Sequence, residues 1–371
     1  MGCRVALLLG GSVADRSLPD RAAALVYGPV HMSTTDGLRD RAVGALTGLA
    51  VGDALGMPTQ NLPRETIRAR YGLLDDFHPG PEDNGISRGV PAGRVTDDTD
   101  QAVILAELLV AGHGRVHPDA FAERLLAWER RMRAAGSRDL LGPSTHKALA
   151  LVAEGVPTER TGRWGDTNGA AMRITPVGLA VPSAPLDRLV DAVEQASRVT
   201  HNTGIAIAGA AAVAAAVSSG LDGATLPDSM RHAVSAAGEG GRRGHYAAGA
   251  DVAARIEWAL GLVAGRAPAD AVEVVYRLVG TGVATQESVP AALAVASLFP
   301  DDPWTACRHA ASLGGDCDTI AAMTGAVVGA HVGVAAVPGP IRERLAAANP
   351  GLALEALAGE LLDLRSAADH G

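Results

Sequence analysis

Residues Ile205 to Val217 read IAIAGAAAVAAAV, an apolar run with no charged or polar side chain in it. A bilayer span takes ~20 such residues, so this run and its companion, Ile320 to Val334, are expected to fall short of one. Both are read instead as helices enclosed on all sides by a large helical core.

The composition around them agrees. Apolar residues make up 47 % of the 371-residue chain but aromatic residues only 3 %, so the core is expected to be built from Ala, Leu, Val and Gly. Ala and Leu are strong helix formers, and small side chains let helix axes approach closely. Few segments show the alternation or β-branched density of strands. The predicted class is all-α, a single large helical bundle. Helices are expected over 38–56, 97–110, 118–134, 143–154, 186–199, 203–219, 247–264, 268–279, 289–298, 303–312, 318–334 and 340–364. The segment Asp75 to Gly93 is read as a polar loop, and Ala236 to Gly244 (AAGEGGRRG) as a flexible surface loop within one domain.

A net charge of −9 argues against a broad nucleic-acid or anionic-membrane surface. The cysteines Cys3, Cys307 and Cys317 share no CxxC spacing, which disfavours a disulfide framework or zinc site and points to a reducing, cytoplasmic setting. The N-terminal MGCRVALLLGGSV resembles a signal peptide only faintly and has no convincing cleavage site. Residues 1–35 are read as a weakly structured extension and 36–371 as the folded domain.

Two acidic clusters carry the chemistry. Thr96-Asp97-Asp98-Thr99-Asp100 gathers carboxylates and hydroxyls at a predicted helix start. Taken alone, it is explained well by Thr96 as N-cap and acids complementing the helix dipole. Ser312-Leu313-Gly314-Gly315-Asp316-Cys317-Asp318-Thr319 repeats the pattern before another apolar helix, with two glycines permitting a tight turn. In an extended or turn conformation Asp316 and Asp318 point one way and Cys317 another. Oxygen donors of this kind suit Mg²⁺, Mn²⁺ or Ca²⁺, and cations would offset charges that are otherwise costly to gather.

These stretches, with others in the same order, resemble the ADP-ribosylglycohydrolase family, which includes the dinitrogenase-reductase-activating glycohydrolase and the ADP-ribosylarginine and ADP-ribosylserine hydrolases. The resemblance runs from about Leu38 to about Val334. It rests on Gly44-Ala45-Leu46-Thr47-Gly48 with Gly52-Asp53-Ala54-Leu55-Gly56, Thr96-Asp97-Asp98-Thr99, Asn168-Gly169-Ala170-Ala171-Met172-Arg173, Thr200-His201, and Gly314-Gly315-Asp316-Cys317-Asp318-Thr319.

The resemblance implies an orthogonal all-α bundle with a cleft holding two Mg²⁺ ions, Mn²⁺ being the alternative. Thr96, Asp97, Asp98, Asp316, Asp318 and Thr319 match the family's metal-ligand positions. Asn168, Gly169, Ala170, Ala171 and Met172 match a loop along the diphosphate and ribose, a role that free N–H groups before a helix would suit. Gly314 and Gly315 join this substrate-binding set. His201 is expected to touch the ligand or to orient what does, though a lone His at such a place is more often structural.

The chain departs from the family at Gln60, where members commonly carry Glu. An amide takes up no proton at neutral pH but still binds a metal or orients water. Cys317 replaces a more usual Thr and is expected to face away from the site.

The implied reaction is hydrolysis of an ADP-ribosyl glycosidic bond at the anomeric carbon, on a modified protein or a related compound. Asp97 and Asp98 would take the proton from the attacking water. The alternatives are an N-glycoside hydrolase for a small nucleoside-like metabolite, motivated by Gln60, and a non-catalytic ADP-ribose binder. Tyr71, Phe77 and Trp164 are candidates to stack on adenine, each equally explained by packing.

Overall fold

A computed structural model describes residues 34–138 and 141–369. The expected extension falls outside the described residues except for Thr34 and Thr35, which open the first helix. Helices follow one another as α1 (Thr34–Gly56), α2 (Arg64–Tyr71), α3 (Asp97–Ala111), α4 (Pro118–Ala134), α5 (Pro143–Ala153), α6 (Thr158–Thr161), α7 (Gly169–Met172), α8 (Thr175–Ala180) and α9 (Leu186–Ser197). They continue as α10 (Gly204–Leu221), α11 (Leu226–Gly240), α12 (Val252–Val263), α13 (Pro268–Val274), α14 (Thr285–Leu298), α15 (Pro303–Ala311), α16 (Cys317–Val332), α17 (Gly339–Ala348) and α18 (Leu354–Asp369). Among the described residues there is no strand, only isolated bridges at Thr167–Ala284 and Thr203–His245. The chain is all-α, as its composition predicts.

At the centre α1 and α16 lie antiparallel, their glycines meeting without side chains between them. A Cβ on Gly48 would sit 2.1 Å from the Gly325 carbonyl oxygen, and one on Gly325 would sit 2.1 Å from that of Gly48. Gly44 faces Gly329 in the same way, and Gly52 faces Ala321. Glycine at every fourth position forms one stripe along the helix, so the backbones themselves touch along this seam.

Helix α10 packs beside the seam with Ile205 through Leu221 buried. It is longer than its apolar run suggested. At 18 residues it has the length and apolarity of a membrane span, yet its residues lie inside the protein. The length argument against a span therefore does not hold, and burial within the bundle replaces it.

Other expectations need correction. Residues 236–240 belong to α11, where Ala236, Ala237 and Gly240 are buried. Packing overrides the poor helix propensity of their glycines. The expected 340–364 helix is two, parted where Asn349 ends α17 and Gly351 takes a φ of 95°. Over 268–279 the α-helix ends at Val274 and a π-helical turn, Val275–Val279, completes it. Helix α2 was not foreseen.

Candidate active site

One turn of α1 organises both acidic clusters. The Asp53 carboxylate, fully buried, accepts from the Thr96 N–H at 3.0 Å, the Thr99 N–H at 3.1 Å and the hydroxyls of Thr96 and Thr99 at 2.8 and 2.5 Å. These donors sit at the start of α3, where backbone N–H groups lack partners within the helix. Thr96 occupies the N-cap position, as predicted, but its side chain makes no capping bond. A carboxylate from a neighbouring helix caps α3 instead. Burial pushes the Asp53 carboxyl up to about 6, against the pull of its four hydrogen bonds. At the end of the same turn, Gly56 lies against Asp318, so close that a Cβ would be 2.3 Å from the Asp318 Cα.

The second cluster is shaped by its backbone. Gly314 and Gly315 have φ of 91° and 73°, a region that side chains with a Cβ rarely adopt. Around them, Asn61 N–H donates to Gly315 O at 2.7 Å, and Asp316 N–H donates to Thr281 O at 2.7 Å. These bonds fix the entry to α16. Asp316 Oδ2 accepts from Asn168 Nδ2 at 2.5 Å, and Asn168 N–H donates to Val283 O at 3.0 Å.

Both clusters open on one cleft of about 260 Å³. Asp97 and Asp98 form its wall with Asp316, Asp318 and Thr319. Gln60, Asn168, Gly169 and Met172 line it as well. The Thr319 hydroxyl donates to Asp98 Oδ2 at 3.3 Å and bonds the two clusters directly, while Asp98 Oδ1 is buried with no hydrogen-bond partner.

Burial, then the charges of Asp53, Asp318, Asp97 and Asp316, hold the Asp98 carboxyl well above its usual range. Burial also raises Asp316, against the hydrogen bonds from Asn168 and Thr319. A cation here would relieve that repulsion. Among the described residues no three acidic, imidazole or thiol side chains form a ready-made cage. The donors are carboxylate and hydroxyl oxygens from both clusters, and Asp98 Oδ1 among them has no hydrogen-bond partner. Such an open set suits hard divalent cations that keep several waters or take oxygens from a substrate.

Other expected residues lie behind this surface. Thr96 is buried between Asp53 and Asp98. Ala170 and Ala171 are buried in the single-turn α7 rather than lining the cleft, so the expected run of free N–H groups is short. Gly314 and Gly315 shape the turn without forming the wall. His201 is fully buried behind two residues of the cleft wall, its ring against Gly169 and its Nε2 3.1 Å from the Thr167 hydroxyl. Cys317 faces away as expected, with Sγ 3.3 Å from Thr59 Oγ1.

Of the stacking candidates, none lines the cleft. Tyr71 packs on His78, Phe77 is buried, and Trp164 is 59 % exposed under the cations of Arg163 and Lys147. The sequence reading missed Asp53 as the organiser of α3, Thr167 in the wall, and Arg138, the one basic residue among the described residues of the wall. Asp53 stood inside a quoted motif, and that was its only signal.

Comparison with known proteins now adds to this geometry. The profile of the ADP-ribosylglycohydrolase family matches residues 34–371. The chain is 37 % identical over 318 residues to the uncharacterized protein YegU of Escherichia coli strain K12, covering 84 % of this chain and 93 % of that one. It is 33 % identical over 171 residues to the ADP-ribosyl-[dinitrogen reductase] glycohydrolase of Rhodospirillum rubrum, covering 46 % of this chain and 54 % of that one. A solved structure titled as an ADP-ribosylglycohydrolase-related protein complex superposes with a TM-score of 0.57 at 28 % identity, over 88 % of this chain and 99 % of that one. The chain belongs to the ADP-ribosylglycohydrolase family, hydrolases acting on ADP-ribose glycosidic bonds.

Proposed function

We propose that the cleft hydrolyses an ADP-ribosyl glycosidic bond with the help of two divalent cations, Mg²⁺ or in its place Mn²⁺. The observation that carries this reading is the meeting of two oxygen-rich clusters, far apart in sequence, around the unpartnered Asp98 Oδ1. Asp97, Asp98, Asp316, Asp318 and Thr319 line the cleft and would hold the cations, with Thr96 behind them bracing Asp98. When bound, they supply Lewis-acid polarisation and a template for the sugar.

Asp97 or Asp98 accepts a proton from the water whose oxygen bonds to the anomeric carbon. The bond to the leaving group breaks with its electron pair, and the leaving group takes up the proton that the carboxylate received. The surrounding carboxylates favour the positive charge that develops on the sugar. Asn168, fixed to Asp316, holds the wall against which the ribose lies. Arg138 offers positive charge to a diphosphate.

A second reading concerns the substrate. Gln60 lines the cleft with Nε2 buried and lacking a hydrogen-bond partner, a neutral donor where a carboxylate would be an acceptor. This favours a leaving group bearing a hydrogen-bond acceptor, such as a small N-glycoside metabolite, over an ADP-ribosylated protein. We take the setting of either reaction to be the reducing cytoplasm, a reading that the free thiols of Cys307 and Cys317 support.

The test is release of free ADP-ribose from ADP-ribosylarginine, ADP-ribosylserine and small ribosides, with Mg²⁺ and with a chelator. Turnover is expected on one class only, and only with the metal. Equal turnover in the chelator would remove the cations from the reading. Tight ADP-ribose binding with no turnover of any substrate would leave a binding protein.

A further inference from the structure

Just past α7, behind the cleft, lies a charge with no part in the proposed hydrolysis. Arg173 is fully buried, and among the described residues its guanidinium donates to the neutral side chains of Gln101 and Thr200. An enclosed cation without a paired anion is costly, and burial pulls Arg173 down to about 9. It lies 4.9 Å from the centre of the Phe121 ring, a modest compensation.

Its partners are neutral, and they lead to the cleft in two directions. Nη1 donates to Gln101 Oε1 at 2.9 Å, and Gln101 Nε2 donates to Asp97 Oδ2 at 2.7 Å. Nη2 donates to Thr200 Oγ1 at 2.6 Å, and Thr200 Oγ1 lies 2.8 Å from His201 Nδ1. His201 Nε2 lies 3.1 Å from Thr167 Oγ1, which donates to Ser144 Oγ at 2.8 Å. Thr167 lines the cleft and is followed by Asn168, which holds Asp316.

A guanidinium only donates, and together with the donation from Thr167 to Ser144 that gives the order of protons along both arms. Gln101 must turn its carbonyl to Arg173, which aims its amide N–H at Asp97. Thr200 accepts from Arg173 and keeps its single proton free for His201 Nδ1. Thr167 gives its own proton to Ser144, so it accepts from His201 and the ring proton sits on Nε2. Each hydroxyl along the chain then accepts once and donates once.

We propose that Arg173 is a positioning residue whose buried fork anchors Gln101 on one side and Thr200 on the other, and so aligns the carboxylate wall with the Asn168 wall. This rests on the reading of Asp97 as a working carboxylate. Arg173 touches no substrate; it acts through Gln101 and Thr200.

The experiment compares wild type with Arg173→Lys, which keeps the charge but loses the two-armed donor, and with Thr200→Val, which leaves Arg173 in place and cuts one arm. Side-chain ¹⁵N shifts of His201 are read beside steady-state kinetics on the substrate that the panel identifies. The wild type is expected to show the neutral Nε2–H tautomer, and both variants a mixture. In Arg173→Lys, kcat is expected to fall about 10–100-fold, with KM changed less than about threefold. A wild-type Nδ1–H tautomer, or a folded Lys variant with kcat within about twofold of wild type, overturns the proposal. If Arg173→Lys does not fold, Thr200→Val decides on the same two readouts. Asp97→Asn is the separate control: full activity there sinks the role given to Asp97, while the tautomer of His201 still judges the proton order.

Discussion

The two acidic clusters present the same groups to the cleft but are mounted differently. The first stands on side chains: Asp53 reaches in from α1 to hold the N–H groups of Thr96 and Thr99, and Gln101, one turn along α3, steadies Asp97. The second stands on its own backbone, bent by Gly314 and Gly315 and tied to Asn61, Leu62 and Thr281. Support by side chains is chemically adjustable and can be lost while the fold remains. Support by backbone conformation cannot be altered without straining the chain.

Substitutions at the working groups should treat the clusters alike and have the largest effect. Asp98→Asn and Asp316→Asn are each expected to lower kcat by roughly 10²–10³-fold while unfolding remains cooperative. Near wild-type release of ADP-ribose by either variant would break the symmetry at its base.

Substitutions in the supports should separate them. Asp53→Asn keeps the shape but weakens acceptance from four donors. It is expected to cost about 10–100-fold in metal affinity or activity and about 1–2 kcal/mol in stability. Gly315→Ala places a Cβ 2.3 Å from the Thr281 carbonyl oxygen at a φ of 73°. A loss of about 1–3 kcal/mol should appear first as a lower denaturation midpoint. If Gly315→Ala were stable but inactive, and Asp53→Asn unstable but active, the distinction would be reversed.

The smallest expected effect concerns acid. Burial and the nearby Arg173 hold the His201 imidazole well below its usual range, so it is neutral in the fold. The unfolded chain protonates there below about 6.5. Stability from this group is therefore full above that pH and lost as pH falls towards the folded-state value, by at most about 1.4 kcal/mol per unit. His309 and His331 shift in the same direction and add to the slope. Denaturant titrations from pH 7 to 5 should give a shallower decline for His201→Gln than for wild type. An unchanged slope would mean that the imidazole is charged in the fold.

Much of this was legible in the chain itself. Ala- and Gly-rich runs without aromatic bulk specify packed helices, and both carboxylate clusters could be recognised from local spacing. The roles of Asp53 and Arg173 were not. Each depends on partners 43 and 72 positions away, at Thr96 and Gln101, and nothing local marks such a pairing. Helix α2 was missed because RETIRARY is short and polar, with only Arg64 and Ile67 buried. The break between α17 and α18 was legible, since Asn349-Pro350-Gly351 is an ordinary helix stop.

The stripe of glycines along α1 bears finally on how the enzyme meets its substrate. A wall moves only where something soft lies beneath it, and between α1 and α16 main chain rests on main chain. The Asp53 turn and the Asp318 turn are thus set at one spacing, like jaws machined from a single block. Whatever accommodation a bulky leaving group demands must fall to the other segments of the lining, among them Gly142, Pro143 and Thr145.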